Sequence, residues 1–131
     1  MLIFLDYFLL IFHLALTAFN ALGWAFERTR LAHLILILLT LASWTVLSPF
    51  YGWGYCPFTD WHWQVKRALG ESPLPGSFIK YCLDGCTSWD SDPTVVTYAT
   101  AAVGVVALVM SIAVNVLAWQ NSRKAQRAET A

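Results

Sequence analysis

The sequence has few charged residues and no excess charge of either sign. Only 12% of its 131 residues are Asp, Glu, Lys or Arg, and eight basic residues balance eight acidic ones. A soluble domain carries about 25% charged residues, so this scarcity argues against most soluble enzymes and against a disordered chain. The balanced charge also argues against the basic surface that nucleic-acid binding requires. We therefore expect no nucleic-acid partner.

The chain also lacks the short motifs that mark common catalytic sites. It contains no phosphate-binding loop, no zinc-protease motif, no glycine-rich dinucleotide fingerprint and no recognisable nucleophile–base pair. The carboxylates of the Trp89–Asp92 stretch lack the rest of a calcium-binding loop, and helix capping explains them better. A non-enzymatic function is therefore the favoured interpretation.

Long hydrophobic runs are abundant, and 58% of the residues are hydrophobic. A bilayer core about 30 Å thick requires about 20 apolar residues in a helix. Three stretches meet this requirement, residues 2–26, 31–48 and 94–120. We expect Pro49 to end the second, and Asp92 followed by Pro93 to begin the third with a capping carboxylate. The sequence predicts an all-α fold, a three-transmembrane-helix bundle forming one membrane domain over residues 1–131.

Basic residues predict how the bundle is oriented. The first stretch has no early Lys or Arg and is too long for a signal peptide, so we expect it to be retained. Basic residues cluster in the turn after it and in the tail: Arg28, Arg30, Arg123, Lys124 and Arg127. Because cytoplasmic flanks are enriched in Lys and Arg, we expect the tail in the cytoplasm and the N-terminus outside. The expected location is the bacterial inner membrane.

The 44-residue connector, residues 50–93, is predicted to hold two short amphipathic helices on the extracytoplasmic face. The first runs from Thr59 or Asp60 to about Leu69, and Lys66 and Arg67 lie away from its apolar side. That apolar side comprises Trp61, Val65, Ala68 and Leu69. The second helix has an apolar stripe of Ile79, Cys82, Leu83 and Cys86.

Aromatic residues of the connector fit a belt at the level of the lipid headgroups. The residues concerned are Tyr51, Trp53, Tyr55, Trp61, Trp63 and Trp89. We expect this belt and the two short helices to cover the mouth of the bundle.

Four polar residues of the first stretch, Asp6, His13, Asn20 and Glu27, recur every seven residues. On a straight helix this spacing drifts by only about 20° per step, so it predicts one polar seam. Polar groups inside a membrane usually face the bundle interior or a water-filled cavity. The seam is therefore expected to point towards the other two helices.

Depth estimates from the rise per residue sort the polar groups into two layers. We expect Asp6 to lie with Tyr98 near the outside, and Asn20 with His33 and Asn115 near the cytoplasm. His13 is expected level with Thr40, at least roughly 10 Å from His33 in depth, too far for one metal ion.

These groups allow three interpretations. They can hydrogen-bond across helices and fix the register. They can line a cavity for a proton, a quinone or a lipid headgroup. His13 or His33 can also bind haem or a metal. On the third stretch a row of small residues is expected to be a packing face: Thr100, Gly104, Ala107 and Ser111.

The chain has three cysteines, all in the connector. An odd number allows at most one internal disulfide, and Cys56 with either Cys82 or Cys86 is the plausible pair. Cys56, His62, Cys82 and Cys86 offer ligand types that zinc accepts, although their spacing matches no standard zinc finger. The remaining alternative is reduced cysteines that act as small buried hydrophobic side chains.

The order of these residues resembles the small bacterial membrane proteins grouped as domain of unknown function 2784. The resemblance rests on Asp6, His13, Gly23, His33, Trp44, the runs 54–59 and 76–81, Lys66, Arg67 and Gly70. Its most specific part is Cys56 to Thr59 together with the later run that ends at Tyr81.

The resemblance implies a shared fold but no activity. It marks six positions for testing: Asp6, His13, His33, Cys56, Thr59 and His62. The family commonly has Glu where this chain has His62, and Gly where it has Ser77. Cys82 and Cys86 lie outside the pattern, which weakens an essential disulfide or zinc site.

Two functions remain open from the sequence. The first is a non-enzymatic accessory subunit or binding module of a membrane complex, in contact with lipid, other subunits or further copies of itself. The second is a redox protein that binds haem, a metal or a quinone at the His and Asp seam. A transporter or proton path through Asp6 and His13 would require oligomers, because three spans are few for transport.

Overall fold

The computed structural model describes residues 1–129, and every regular element among them is helical. The helices in chain order are α1 (Leu2–Leu22), α2 (Arg30–Val46), α3 (Ser48–Tyr51), α4 (Pro57–Ala68), α5 (Phe78–Thr87) and α6 (Pro93–Glu129). Two short 3-10 helices, Gly23–Ala25 and Glu27–Thr29, join α1 to α2. The prediction of an all-α fold is confirmed for the described part of the chain.

Three segments are long and apolar enough to cross a membrane: Leu2–Ala25, Glu27–Val46 and Pro93–Glu129. They coincide with the three predicted stretches, and they mark the chain as a membrane protein. The last helix continues beyond the predicted end near residue 120 to Glu129. Its final turns are polar but rich in helix-forming residues, so the helix persists where the hydropathy declines.

Helix boundaries follow capping chemistry. The carboxylate of Asp92 accepts hydrogen bonds from the backbone N–H groups of Thr94 at 2.7 Å and Val95 at 3.0 Å, which confirms the predicted start of α6. Pro49 does not end α2, because α2 ends at Val46 and Pro49 lies in the first turn of α3. Helix α4 begins at Pro57, before the predicted Thr59, since proline is favoured at the first helical position.

The row of small residues on α6 forms its buried face, as predicted. Gly104, Ala107 and Ser111 are buried, and a Cβ atom at Gly104 would lie 3.5 Å from Leu41 of α2. Small side chains allow the backbones of apolar helices to approach closely. Helix α6 therefore packs against α2 along this row.

The connector contains two helices, as predicted, but α4 buries a different face. His62, Trp63, Val65 and Lys66 are buried, whereas Trp61 is 54% exposed. The prediction that Lys66 lies away from the packed side of this helix is therefore wrong. Helix α4 packs against α1, where Asp6 supplies a countercharge to Lys66. The ion pair with Asp6 offsets the cost of burying the Lys66 charge.

Two further expectations for the connector are corrected. Trp63 does not belong to an aromatic belt, because it is buried and its indole N–H donates to the carbonyl of Pro75 at 2.6 Å. On α5 the buried residue is Phe78, while Leu83 and Cys86 of the predicted stripe are exposed.

Gly23 lies where α1 ends against α2. A Cβ atom there would lie 2.8 Å from the His33 ring and 2.9 Å from the Phe19 ring. We expect Gly23→Ala to lower the free energy of unfolding by about 1–3 kcal/mol, because His33 is buried and cannot move freely. Unfolding followed by tryptophan fluorescence in one detergent measures the change.

Gly85→Ala is the matched control, since a Cβ atom at Gly85 on α5 meets nothing within 4 Å. Alanine is favoured over glycine in a helix by up to about 1 kcal/mol, so this variant should be at least as stable as the parent. Equal stability of the two variants would contradict the packing role of Gly23.

Candidate functional site

A buried charge cluster, formed by Asp6, His62 and Lys66, joins α1 to α4. The Nε2 atom of His62 lies 2.7 Å from the Asp6 carboxylate, and the Lys66 ammonium lies 3.2 Å from the same oxygen. His62 is fully buried and Lys66 is only 3% exposed. A carboxylate accepts hydrogen bonds, so the His62 ring must carry a proton on Nε2. Asp6 therefore ties the start of α1 to the connector.

Lys66 has two further partners. Its ammonium donates to the Glu71 carboxylate at 3.1 Å and lies 4.9 Å from the centre of the Tyr81 ring. Burial alone disfavours the charged ammonium, but the contacts with Tyr81, Glu71 and Asp6 outweigh this effect and raise the pKa of Lys66. Lys66 therefore stays charged over the physiological range and links α1, α4 and α5.

A second pair lies deeper along α1. The Nε2 atom of His13 is 3.8 Å from the Cys56 sulfur, a distance compatible with a weak hydrogen bond to sulfur. The His13 ring stacks on Phe78 with centroids 3.9 Å apart and planes inclined by 8°. The Nδ1 atom of His13 is buried and has no hydrogen-bond partner among the described residues. His13 is thus held by stacking rather than by polar contacts.

A polar layer near the other end of the bundle centres on His33. Its ring nitrogens lie 2.9 Å from the Ser111 hydroxyl and 2.9 Å from the Asn20 carbonyl oxygen, and the residue is fully buried. The Asn115 amide donates to the Arg30 carbonyl at 3.1 Å. Asn20, His33 and Asn115 therefore lie in the same region, as the depth estimate predicts. These bonds connect α1, α2 and α6.

Asp6 has its partners in the connector, and Tyr98, expected at the same depth, is 71% exposed. Two details of the predicted layers and seam are wrong. Thr40 bonds to the Asn20 side chain at 3.2 Å rather than lying level with His13. The Glu27 side chain is 86% exposed because α1 ends before it and the backbone changes direction at Gly23.

A cavity of about 910 Å³ lies between α1, α2, α6 and the connector. Polar groups at its connector end include Thr59, Asp60, Ser77 and Lys80. Further from the connector the walls include apolar residues such as Leu16, Ile37 and Val103, together with the uncharged polar residues Asn20 and Thr40. His13 and Cys56 both line this cavity. Its volume lies within the range of about 300–1,000 Å³ that is typical of small-molecule sites.

The cysteines are free thiols, so the structure contains no Cys56 disulfide to Cys82 or Cys86. Cys56 faces His13, whereas His62 is engaged with Asp6. Within residues 1–129, no group of three or more His, Cys, Asp or Glu side chains is placed to hold a metal ion. The four predicted zinc ligands are therefore not brought together.

Sequence reasoning missed Lys66 as a buried residue and did not select Glu71, Phe78 and Tyr81 as site residues. Lys66 lies four residues after His62, so both side chains lie on one helical face. The four-residue spacing of His62 and Lys66 can be read from the sequence. Only the fold shows that the helical face they share packs against Asp6 of α1.

Among known proteins, the family described as Protein of Unknown function (DUF2784) matches residues 3–116. The search of curated proteins and the search of solved structures found no match. The matched range contains α1, α2, the connector and most of α6, and with them every residue of the charge cluster and the cavity. The chain belongs to this family, as its sequence pattern predicts.

Proposed function

We propose that this membrane protein is a non-enzymatic binding module that holds an amphipathic small molecule in the cavity between its long helices. The single observation that carries the proposal is the cavity itself, whose walls are mostly apolar and whose acidic and basic side chains, Asp60 and Lys80, both belong to the connector. A molecule with a polar head and a hydrocarbon tail matches this distribution. The bilayer supplies such molecules as lipids and quinones.

The fixed connector supports this proposal. The carbonyl of Tyr55 accepts a hydrogen bond from the Ser43 hydroxyl at 2.9 Å, and Lys66 and His62 anchor α4 to α1. The cover of the cavity is therefore attached to α1 and α2 by polar contacts. A preformed site of this kind binds with little cost of ordering.

We further propose that the module acts as an accessory subunit within a larger assembly of the bacterial inner membrane. Helix α6 has 37 residues, so it extends about 55 Å, well beyond the roughly 30 Å of a bilayer core. Its projecting end carries Arg123 and Lys124, and Arg123 lies 4.3 Å from the Trp119 ring. A helix that projects into the aqueous phase is suited to contact with another subunit or a second copy.

The proposed orientation places the connector and the N-terminus outside the cytoplasm. Asp6 near the start of α1 contacts α4, so the two segments lie at the same end of the bundle. The basic residues of the α1–α2 turn and of the α6 end belong to the opposite end, which favours the cytoplasm for that end.

The second candidate function, cofactor binding, is favoured only for a quinone near His13. Both ring nitrogens of His33 are engaged, so haem or metal ligation there would break its contact with Ser111 or with Asn20. His13 lines the cavity beside the Phe78 ring. A quinone has the amphipathic character that the cavity selects, and an absorption spectrum of the purified protein would reveal it.

Filling the cavity tests the binding function. Thr100 lines the cavity on α6, and we expect Thr100→Trp to abolish a small molecule that co-purifies with the parent protein. Native mass spectrometry of protein extracted in mild detergent gives the occupancy. Val106→Trp, on the exposed side of the same helix, is the control and should retain the molecule. No bound molecule in the parent, or equal occupancy in both variants, would contradict the proposal.

A further inference from the structure

Cys56 and His13 are far apart in sequence but adjacent in the fold. The Cys56 sulfur lies 3.8 Å from His13 Nε2, and the two residues are separated by 43 positions. Both line the 910 Å³ cavity. A thiol beside an imidazole is the arrangement in which histidine removes the thiol proton and activates the sulfur as a nucleophile. The sequence alone did not reveal this pair.

The local backbone adds a second feature that favours a nucleophilic sulfur. Cys56 is the residue that precedes the first turn of α4, and its side chain makes no capping hydrogen bond. The N-terminal end of a helix carries partial positive charge, which stabilises an anionic sulfur. Cys56 therefore stands at the N-terminal end of α4 with its sulfur 3.8 Å from the His13 imidazole.

The ring nitrogens of His13 are not engaged in contacts between the long helices. It is only 6% exposed, and stacking on Phe78 fixes the plane of its ring. Its Nδ1 atom has no hydrogen-bond partner among the described residues, and its Nε2 contact is with Cys56. His33 differs, because both of its nitrogens are held in interhelical contacts. His13 can thus accept a proton without breaking contacts that join the helices.

We propose that Cys56 is a nucleophile that accepts an acyl group from an activated ester or thioester bound in the cavity, with His13 as its base. This inference rests on the proposed binding function, since the apolar walls would hold the acyl chain. An acyl donor fits both features of this site. Its carbonyl carbon is an electrophile that the Cys56 thiol can attack, and its hydrocarbon chain matches apolar walls such as Leu16, Ile37 and Val103.

Transfer of the acyl group to Cys56 needs only the thiol, His13 and the bound donor. The thiol proton passes to His13 Nε2, and the sulfur forms a bond to the carbonyl carbon. The bond from that carbon to the leaving oxygen or sulfur breaks, and the leaving group takes the proton from His13. The products are an acyl thioester on Cys56 and a free alcohol or thiol. No oxidant or reductant is needed.

The experiment uses the full chain in nanodiscs with two probes, p-nitrophenyl octanoate and octanoyl-coenzyme A. Intact mass and peptide mapping follow the octanoyl adduct on each cysteine, and cleavage by hydroxylamine identifies it as a thioester. We expect acylation of Cys56 to be at least about 10²-fold faster than that of the exposed Cys86. His13→Gln should lower the rate of Cys56 acylation by about 10²-fold. The two probes distinguish an ester donor from a thioester donor.

Acylation of Cys56 at the rate of Cys86, or an unchanged rate in a His13→Gln variant that unfolds like the parent, would overturn the proposal. If His13→Gln does not fold, Phe78→Leu replaces it, because loss of stacking should also slow the reaction. Native mass spectrometry of Cys56→Ser with N-methyloctanamide, an unreactive analogue of the two probes, measures binding apart from chemistry. If the variant binds the amide but the parent is not acylated, only this inference is overturned. If the amide does not bind and the parent is not acylated, the binding function is overturned as well.

Discussion

We expect Lys66→Met to lower the free energy of unfolding by about 3–5 kcal/mol. The substitution removes the ammonium that lies 3.2 Å from Asp6 and 3.1 Å from Glu71. Loss of the ammonium leaves the largely buried Asp6 carboxylate with His62 as its remaining partner. Removal of one member of a buried ion pair typically costs about 3–5 kcal/mol. Denaturant unfolding in mixed micelles, followed by tryptophan fluorescence, measures it.

Arg67→Met is the matched control on the neighbouring residue. Arg67 is about half exposed and lies 4.0 Å from Asp60, so its loss should cost no more than about 1 kcal/mol. A similar loss of stability in the two variants would refute the buried cluster.

Since the pKa of Lys66 is raised, its contribution to stability is complete below about pH 10 and declines only above that, as the pH passes through the raised value. Stability assigned to Lys66 should therefore not change between pH 6 and pH 9.

The second large effect concerns His33. We expect His33→Ala to lower the free energy of unfolding by about 2–5 kcal/mol, because it leaves a cavity and removes two interhelical contacts. Ser111→Ala removes only the contact with the Ser111 hydroxyl and should cost about 0.6–2 kcal/mol. The double variant should cost less than the sum of the two single variants, since both remove the same contact.

Leu38→Ala provides the control for this series. Leu38 lies on α2, like His33, but is 49% exposed, so its truncation leaves no internal cavity. Unfolding in the same micelles compares all four variants. Strictly additive effects of His33→Ala and Ser111→Ala would show that the contact at 2.9 Å contributes nothing to stability.

Much of the fold was predictable because it depends on local sequence. The three long helices follow from apolar stretches that only a helix can carry across a bilayer. The start of α6 follows from the capping chemistry of Asp92 and the proline after it. The small-residue row of α6 was correctly predicted as a packing face, since small residues at helical spacing have few other uses in a membrane helix.

The candidate site was only partly predictable. The seven-residue spacing correctly places Asp6, His13 and Asn20 on the interior side of α1, but it fails at Glu27 because the helix ends first. The partners of these residues come from the connector, which the sequence could not position. Hydropathy placed Lys66 away from the apolar side of its helix, whereas the structure buries it beside the countercharge of Asp6.

The sequence by itself determined the class of the protein: its three long helices, the membrane as their solvent and the family. These properties depend on composition and on short-range periodicity, which the chain carries in every environment. Tertiary structure alone decided that Asp6 pairs with His62 and Lys66, that His13 meets Cys56, and that the long helices and the connector together enclose a cavity. Such contacts join residues 43 to 60 positions apart, and their formation depends on how α4 and α5 pack against α1 and α6, which no local pattern encodes.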